Sequence, residues 1–296
     1  MEYICAVMDR KQFIRNGLLA TGALAAATAG GASEPEVAVP SDIVGFDHLP
    51  PSNPHVMPNM VYHPAHTRGH ADHGWLNTYH TFSFANYYAP ERMNFGVLRV
   101  LNDDTVASGM GFSTHPHENM EIISIPLEGD LEHQDSMGNT QVVRHGDIQV
   151  MSAGKGITHS EKNRNKDRLT RFLQIWVFPN QRNVEPRYDQ LTLQPGDRHN
   201  RFQQILSPSP DDAGVWIHQD AWFHLGKFDA GKGASYAVKR AGNGVYAFVI
   251  EGSVTINGQT LGKRDGLGLW DMAALDVRSG DQGAEVLLMD VPMQLQ

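Results

Sequence analysis

One five-residue pattern occurs twice in this chain, as Leu127-Glu128-Gly129-Asp130-Leu131 and as Ile250-Glu251-Gly252-Ser253-Val254. Each copy is preceded by an apolar run, Glu121-Ile122-Ile123-Ser124-Ile125-Pro126 in the first and Gly244-Val245-Tyr246-Ala247-Phe248-Val249 in the second. Each is followed by a turn and then by a Gly-Asp or Asp-Gly pair, Gly146-Asp147 and Asp265-Gly266. Other short runs fit the same frame. Val97 to Leu101, Gln141 to Val143, Ile148 to Met151, Leu173 to Phe178, Trp222 to Leu225 and Glu285 to Met289 read as strands. Glu251-Gly252 reads as a turn and Asn257-Gly258 as a hairpin. Short strands punctuated by Gly, Asp and Asn predict an all-β chain. Read as degenerate copies, the two series describe two β-barrels in tandem.

The formal net charge of -9 argues against a direct nucleic-acid partner, which would need a basic patch for phosphates. The one cysteine, Cys5, excludes an intrachain disulfide, a zinc ribbon and a cysteine nucleophile in the body of the protein. Residues 1–32 read as an export signal: a charged stretch from Asp9 to Arg15, an apolar run from Leu18 to Ala29, then small residues. Its basic pair resembles a twin-arginine signal with Lys11 in the second arginine position. That predicts a periplasmic or secreted protein without stable membrane insertion after cleavage, or a cytoplasmic one if the signal is not functional. Met8 is an alternative start to Met1. The expected organisation continues with a linker over 33–58, a metal-binding barrel over 59–180, an interdomain segment over 181–210 and a barrel without ligands over 211–296.

The first barrel contains two paired motifs, Thr114-His115-Pro116-His117-Glu118 and Thr158-His159-Ser160-Glu161. In a strand, residues two apart point to one face, so each motif projects two metal-binding side chains together. If the two strands face each other, three imidazoles and one carboxylate converge on one point and leave room for a substrate. The bland alternative is two surface histidines in a polar loop. Pro116 has no N–H for a ladder, which places it on an irregular, bulged or edge strand. Glu118 should point away from His117. Glu121 keeps the parity of the two histidines, so it rivals Glu161 as a ligand or serves as a partner behind an imidazole. His133 reads as an ordinary strand histidine, with a role behind the ligands as the alternative. Phe95 and Phe112 read as core residues, with pocket lining as the alternative. Matching Gly129 to Gly252 sets Val238 and Arg240 where His115 and His117 stand, so the second barrel is expected to lack ligands.

The run Gly109-x5-His115-x-His117-x3-Glu121, then Gly129, resembles the first motif of the cupin superfamily with one extra residue. Gly146-x5-Ser152-x-Gly154-x4-His159-x3-Asn163 resembles the second, with serine for the usual proline. More specifically, the chain resembles the pirin family, or quercetin 2,3-dioxygenase-like bicupins. The runs that carry this are Arg68 to Leu76, His80 to Ala85, Gly111 to His117, Leu131 to Asn139 and Ser152 to Glu161. The likeness extends from about Tyr62 to the C-terminus.

This resemblance implies two tandem cupin-type barrels, a bicupin. It implies His115, His117, His159 and Glu161 as metal ligands, with Glu161 also as the catalytic group, and so decides the rivalry with Glu121. The implied cofactor is one mononuclear divalent metal, Fe(II) first, with Ni, Cu, Mn, Co and Zn also admitted. The implied reaction is oxidative ring opening of a flavonol such as quercetin, so the partners are a small aromatic substrate and O2. The alternative is a metal-binding, redox-responsive protein that acts through a binding partner without turnover. A zinc-tolerant isomerase or hydrolase is a third reading. The export signal departs from the familiar cytoplasmic or nuclear pirins.

Overall fold

The strands alternate between two environments, and this alternation builds the molecule. The computed structural model describes residues 59–295; the export signal and linker expected over 1–58 lie outside the described residues. The first twelve strands are β1 (Asn59–His63), β2 (Gly69–Asp72), β3 (Leu76–His80), β4 (Leu98–Val106), β5 (Gly111–His117), β6 (Glu121–Glu128), β7 (Asp130–Asp135), β8 (Thr140–Arg144), β9 (Asp147–Ser152), β10 (Ile157–Asn163), β11 (Thr170–Val177) and β12 (Arg187–Thr192). The remaining strands are β13 (Phe202–Ser207), β14 (Val215–Trp216), β15 (Trp222–Phe228), β16 (Gly233–Ala237), β17 (Asn243–Ile256), β18 (Gln259–Leu261), β19 (Gly266–Trp270) and β20 (Ala274–Pro292). No helix among the described residues is long and apolar enough to cross a membrane.

A seven-stranded sheet, in the order β12-β9-β6-β11-β4-β3-β2, and a four-stranded sheet, β5-β10-β7-β8, form the first barrel. A nine-stranded sheet, β1-β19-β17-β20-β15-β13-β14 with β16 on β20 and β18 on β17, forms the second. The all-β, two-barrel expectation therefore holds. The strand pairing crosses the boundaries drawn from sequence: β1 pairs with β19 of the second barrel, and β12 pairs with β9 of the first.

The seven-stranded sheet has two faces of different chemistry. Ile123, Ile125, Ile148, Val150, Leu173 and Ile175 point to one face, where they pack with Phe223, Leu225, Phe248, Ile250, Leu287 and Met289 of the nine-stranded sheet. This cluster, shared between the barrels, is the main core, and its burial supplies the driving force for both halves. Residues of the opposite parity face the four-stranded sheet. There Gln149, Ser124, Gln174, Asn102 and His80 are successive cross-strand neighbours on β9, β6, β11, β4 and β3. All five are buried.

Two expected turns have different outcomes. Asn257 and Gly258 both take positive φ and join Ile256 to Gln259, the two-residue hairpin expected. Glu251-Gly252 is no turn: β17 runs through it as one bent strand, with register shifts on either side and Gly252 at φ +75. A bulge absorbs the bend that the sequence pattern shares with a turn.

Candidate metal centre

β5 is an edge strand, paired only with β10 among the described residues. Pro116, which cannot donate to a ladder, is tolerated there as expected. His115 lies opposite His159, and the register slips so that Glu161 lies opposite Phe112. The extra β5 residue is a bulge.

His115, His117 and His159 meet in a triangle of rings, with centroids 4.5 to 4.9 Å apart. Their ligand atoms lie within 4.8 Å of one another. A second group, within the same limit, joins His159 to Glu161 and His133. The four residues expected as ligands are thus divided between two overlapping triads that share His159.

Burial pushes the imidazoles of His115, His117 and His159 below their ordinary range, His117 to about 3. The neighbouring imidazoles reinforce this for His117 and His159. All three are neutral at pH 7, the form that binds a cation. His115 donates its Nδ1–H to the Ser113 carbonyl at 2.8 Å, which leaves Nε2 as the lone pair. His159 Nε2 is buried and has no hydrogen-bond partner among the described residues. A buried nitrogen of this kind is costly unless something binds it, and a divalent metal fits.

Glu161 is fully buried. Ser124 donates to its Oε1 at 2.9 Å and Gln174 to its Oε2 at 2.6 Å. Burial pushes its carboxyl up to about 7, partly offset by those two bonds. The rival Glu121 is also buried and also pushed up to about 7 by burial, but it accepts from Ser152 Oγ at 2.6 Å. It has the parity of Ile123, on the face turned away from the histidines. Glu121 loses the parity of the histidines because the chain leaves β5 at His117 and turns through Asn119, at φ +50, before β6 begins. Glu118 is exposed and accepts from Asn119 Nδ2.

His133, expected as an ordinary strand histidine, is completely buried with its ring 5.3 Å from that of His159. Ser124, Gln149 and Gln174 were not expected. Their signal was available, since each is a lone polar residue inside an apolar strand. Phe95 packs in the shared core and Phe112 against Trp75, so neither lines the histidine group. The aromatic that does is Trp176, edge-on to His117 at 5.0 Å and itself met by Phe84 at 5.4 Å.

Two β-barrels in tandem, with the His/Glu groups that could hold a metal gathered in the first among the described residues, define a bicupin. Comparison with known proteins narrows this. Residues 61–177 match the Pirin family and residues 204–291 match the quercetinase C-terminal cupin domain. The chain is 44% identical over 234 residues to a quercetin 2,3-dioxygenase of Escherichia coli (strain K12), covering 79% of this chain and 99% of that protein. It is 41% identical over 223 residues to a pirin-like protein of Caulobacter vibrioides, covering 75% and 95%. The crystal structure of the bacterial pirin YhhW from Escherichia coli in complex with nickel(II) has a TM-score of 0.74 at 42% identity, covering 79% of this chain and 99% of that one. The chain belongs to the pirin family.

Proposed function

We propose that this protein is a metal-dependent dioxygenase that opens a flavonol such as quercetin with O2. In this reading His115, His117, His159 and Glu161 hold one divalent metal, Fe(II) in the first place. The observation that carries it is the unpartnered His159 Nε2, set among neutral imidazoles, buried for His117 and half-buried for His115, beside a buried carboxylate. The naming of a relative at 44% identity as a quercetin 2,3-dioxygenase supports the substrate class.

When bound, the metal supplies Lewis acidity toward the flavonol 3-hydroxyl and the redox chemistry that O2 requires. Glu161 takes the hydroxyl proton, as the carboxylate grouped with His159 and held by Ser124 and Gln174. Oε1 is the atom that receives it. Its partner, the Ser124 hydroxyl, turns from donor to acceptor by rotation about one bond, whereas the Gln174 amide on Oε2 would first have to exchange its NH2 for its oxygen. Trp176 and Phe84 offer an aromatic flank beside His117 for a planar substrate. The N-terminal signal reading adds that the reaction takes place in the periplasm or outside the cell.

Anaerobic purification, metal analysis and oxygen uptake with quercetin test this. Metal in the wild type, its loss in His115→Ala, and uptake by the wild type alone are expected. Metal without uptake on any flavonol would remove that substrate class and leave a metal protein that works through a partner. A protein that binds no metal would remove the site assignment itself.

A further inference from the structure

Beside the histidine triangle lies a chain of hydrogen bonds that the proposed reaction does not use. β7 pairs with β10 so that Asp135 stands opposite His159 and His133 opposite Glu161. His133 Nε2 is 3.2 Å from Asp135 Oδ2. His133 Nδ1 is 3.5 Å from His159 Nδ1 and 3.4 Å from Gln149 Nε2. Asp135 is fixed in turn: its Oδ1 accepts the N–H groups of Met137 and Asn139, and its Oδ2 accepts from Asn139 Nδ2.

The direction of every proton follows from these partners. A carboxylate only accepts, so His133 carries its proton on Nε2. Its Nδ1 is then a lone pair, which the Gln149 amide and the His159 Nδ1–H both approach. With its proton on Nδ1, His159 keeps its lone pair on Nε2, the nitrogen that is buried without a partner among the described residues. The reverse direction would leave a bare His133 Nε2 facing a carboxylate oxygen. His133 could be taken for a ligand, because its ring belongs to the second triad. Both its nitrogens, however, already have partners.

We propose that Asp135 and His133 are positioning residues: through the chain Asp135–His133–His159 they lock His159 in the Nδ1–H tautomer and present its Nε2 to the metal. The inference rests on the assignment of His159 as a ligand. Partners of this kind behind a ligating histidine set which nitrogen binds and how strongly it donates. The Leu131 to Asn139 run then gains a reason for containing His133, Asp135 and Asn139 together.

The decisive variant is Asp135→Asn. An amide oxygen can still serve the Met137 and Asn139 N–H groups, but its NH2 then faces His133 Nε2. That reverses the chain and puts a proton on His159 Nε2, as amide-for-carboxylate replacement does to a catalytic histidine. In metal-free protein labelled with 15N-histidine, long-range 1H–15N spectra should show His159 bare at Nε2 in the wild type and protonated there in Asp135→Asn. The nickel(II) dissociation constant should rise about 10–100-fold, the usual cost of losing such a partner. His133→Phe, which keeps a ring against Tyr188 but offers no acceptor, should lose a similar amount. The double variant should be no worse than either single one.

An unmoved tautomer, an unchanged nickel affinity or additive losses in the double variant would overturn the relay. So would nickel binding abolished by His133→Phe and untouched by Asp135→Asn, which would make His133 a ligand. His115→Ala separates the two claims. If it binds nickel like the wild type, the metal assignment fails. If it loses nickel while the tautomer of His159 stays unmoved in Asp135→Asn, the relay alone fails.

Discussion

The two barrels share a frame and a core but not an interior. In the first, the inner face carries the row Gln149, Ser124, Gln174, Asn102, His80 and the histidine triangle. In the second, the corresponding space is filled by Val245, Ala247, Val249, Leu267, Leu269, Val286 and Leu288. The positions matched to His115 and His117 show the change directly. Val238 packs on that aliphatic cluster, and Arg240 reaches Asp220 in a part-exposed ion pair. The second barrel does bury a carboxylate, Asp290, but Tyr236, Lys239 N–H and Asn243 all donate to it. The first barrel leaves Gln149 Oε1, His159 Nε2 and Trp176 Nε1 without partners among the described residues, and the second leaves Gln203 Oε1 and His224 Nδ1. What differs is the company: His159 stands with two further imidazoles and a carboxylate, whereas His224 stands against Tyr236 beside an aliphatic cluster.

That contrast can be broken, and the largest effect expected is on metal. His159→Ala should leave the protein without bound metal, while Val238→His with Arg240→His should add none, because no group of candidate ligands lies in the second barrel among the described residues; metal-to-protein ratios decide. Next in size is the shared core. Phe248→Ala should cost about 3–5 kcal/mol, and both barrels should still melt in one calorimetric transition. Two separated transitions would show that the barrels are independent.

The pH response comes third. The folded-state carboxyls of Glu121 and Glu161 both lie near 7, raised by burial from 4.5. Each therefore contributes stability that is fully present below about 4.5 and lost as pH rises through about 7. Either glutamine variant should flatten the fall in metal-free stability over that window, measured by urea unfolding. Only Glu161→Gln should weaken nickel binding. The smallest effect belongs to Ser124→Ala, which should cost about 1 kcal/mol and lower kcat for oxygen uptake more than it raises KM.

The alternation of each strand was legible in the sequence, because side-chain parity is a local property. So were the Asn257-Gly258 hairpin and the edge position of Pro116, each fixed by the chemistry of one or two residues. The partners of each strand were not legible. Asn59 to His63 carries no mark that sends it to β19, since its anchors, Tyr62 to Asp265 and His63 to Tyr246, are distant in sequence. The histidine pairs were recognisable from spacing, but the polar row was visible only as isolated residues. Parity carried across the Asn119 turn misplaced Glu121, because a left-handed residue resets which face the next strand presents. His133 was underestimated for the opposite reason: it shares a face with His159 only through the β7–β10 register.

The attachment of β1 to β19 also sets an order of events during synthesis. Asn59 leaves the ribosome long before Trp270, its partner across the sheet, has been made. The first barrel lies between them in the chain, so its strands can pair while β1 still waits. Pairings of such long sequence separation form late and slowly. A nascent chain of this protein therefore carries β1 without its partner until β19 has been made, and only β20 then remains to join the same sheet.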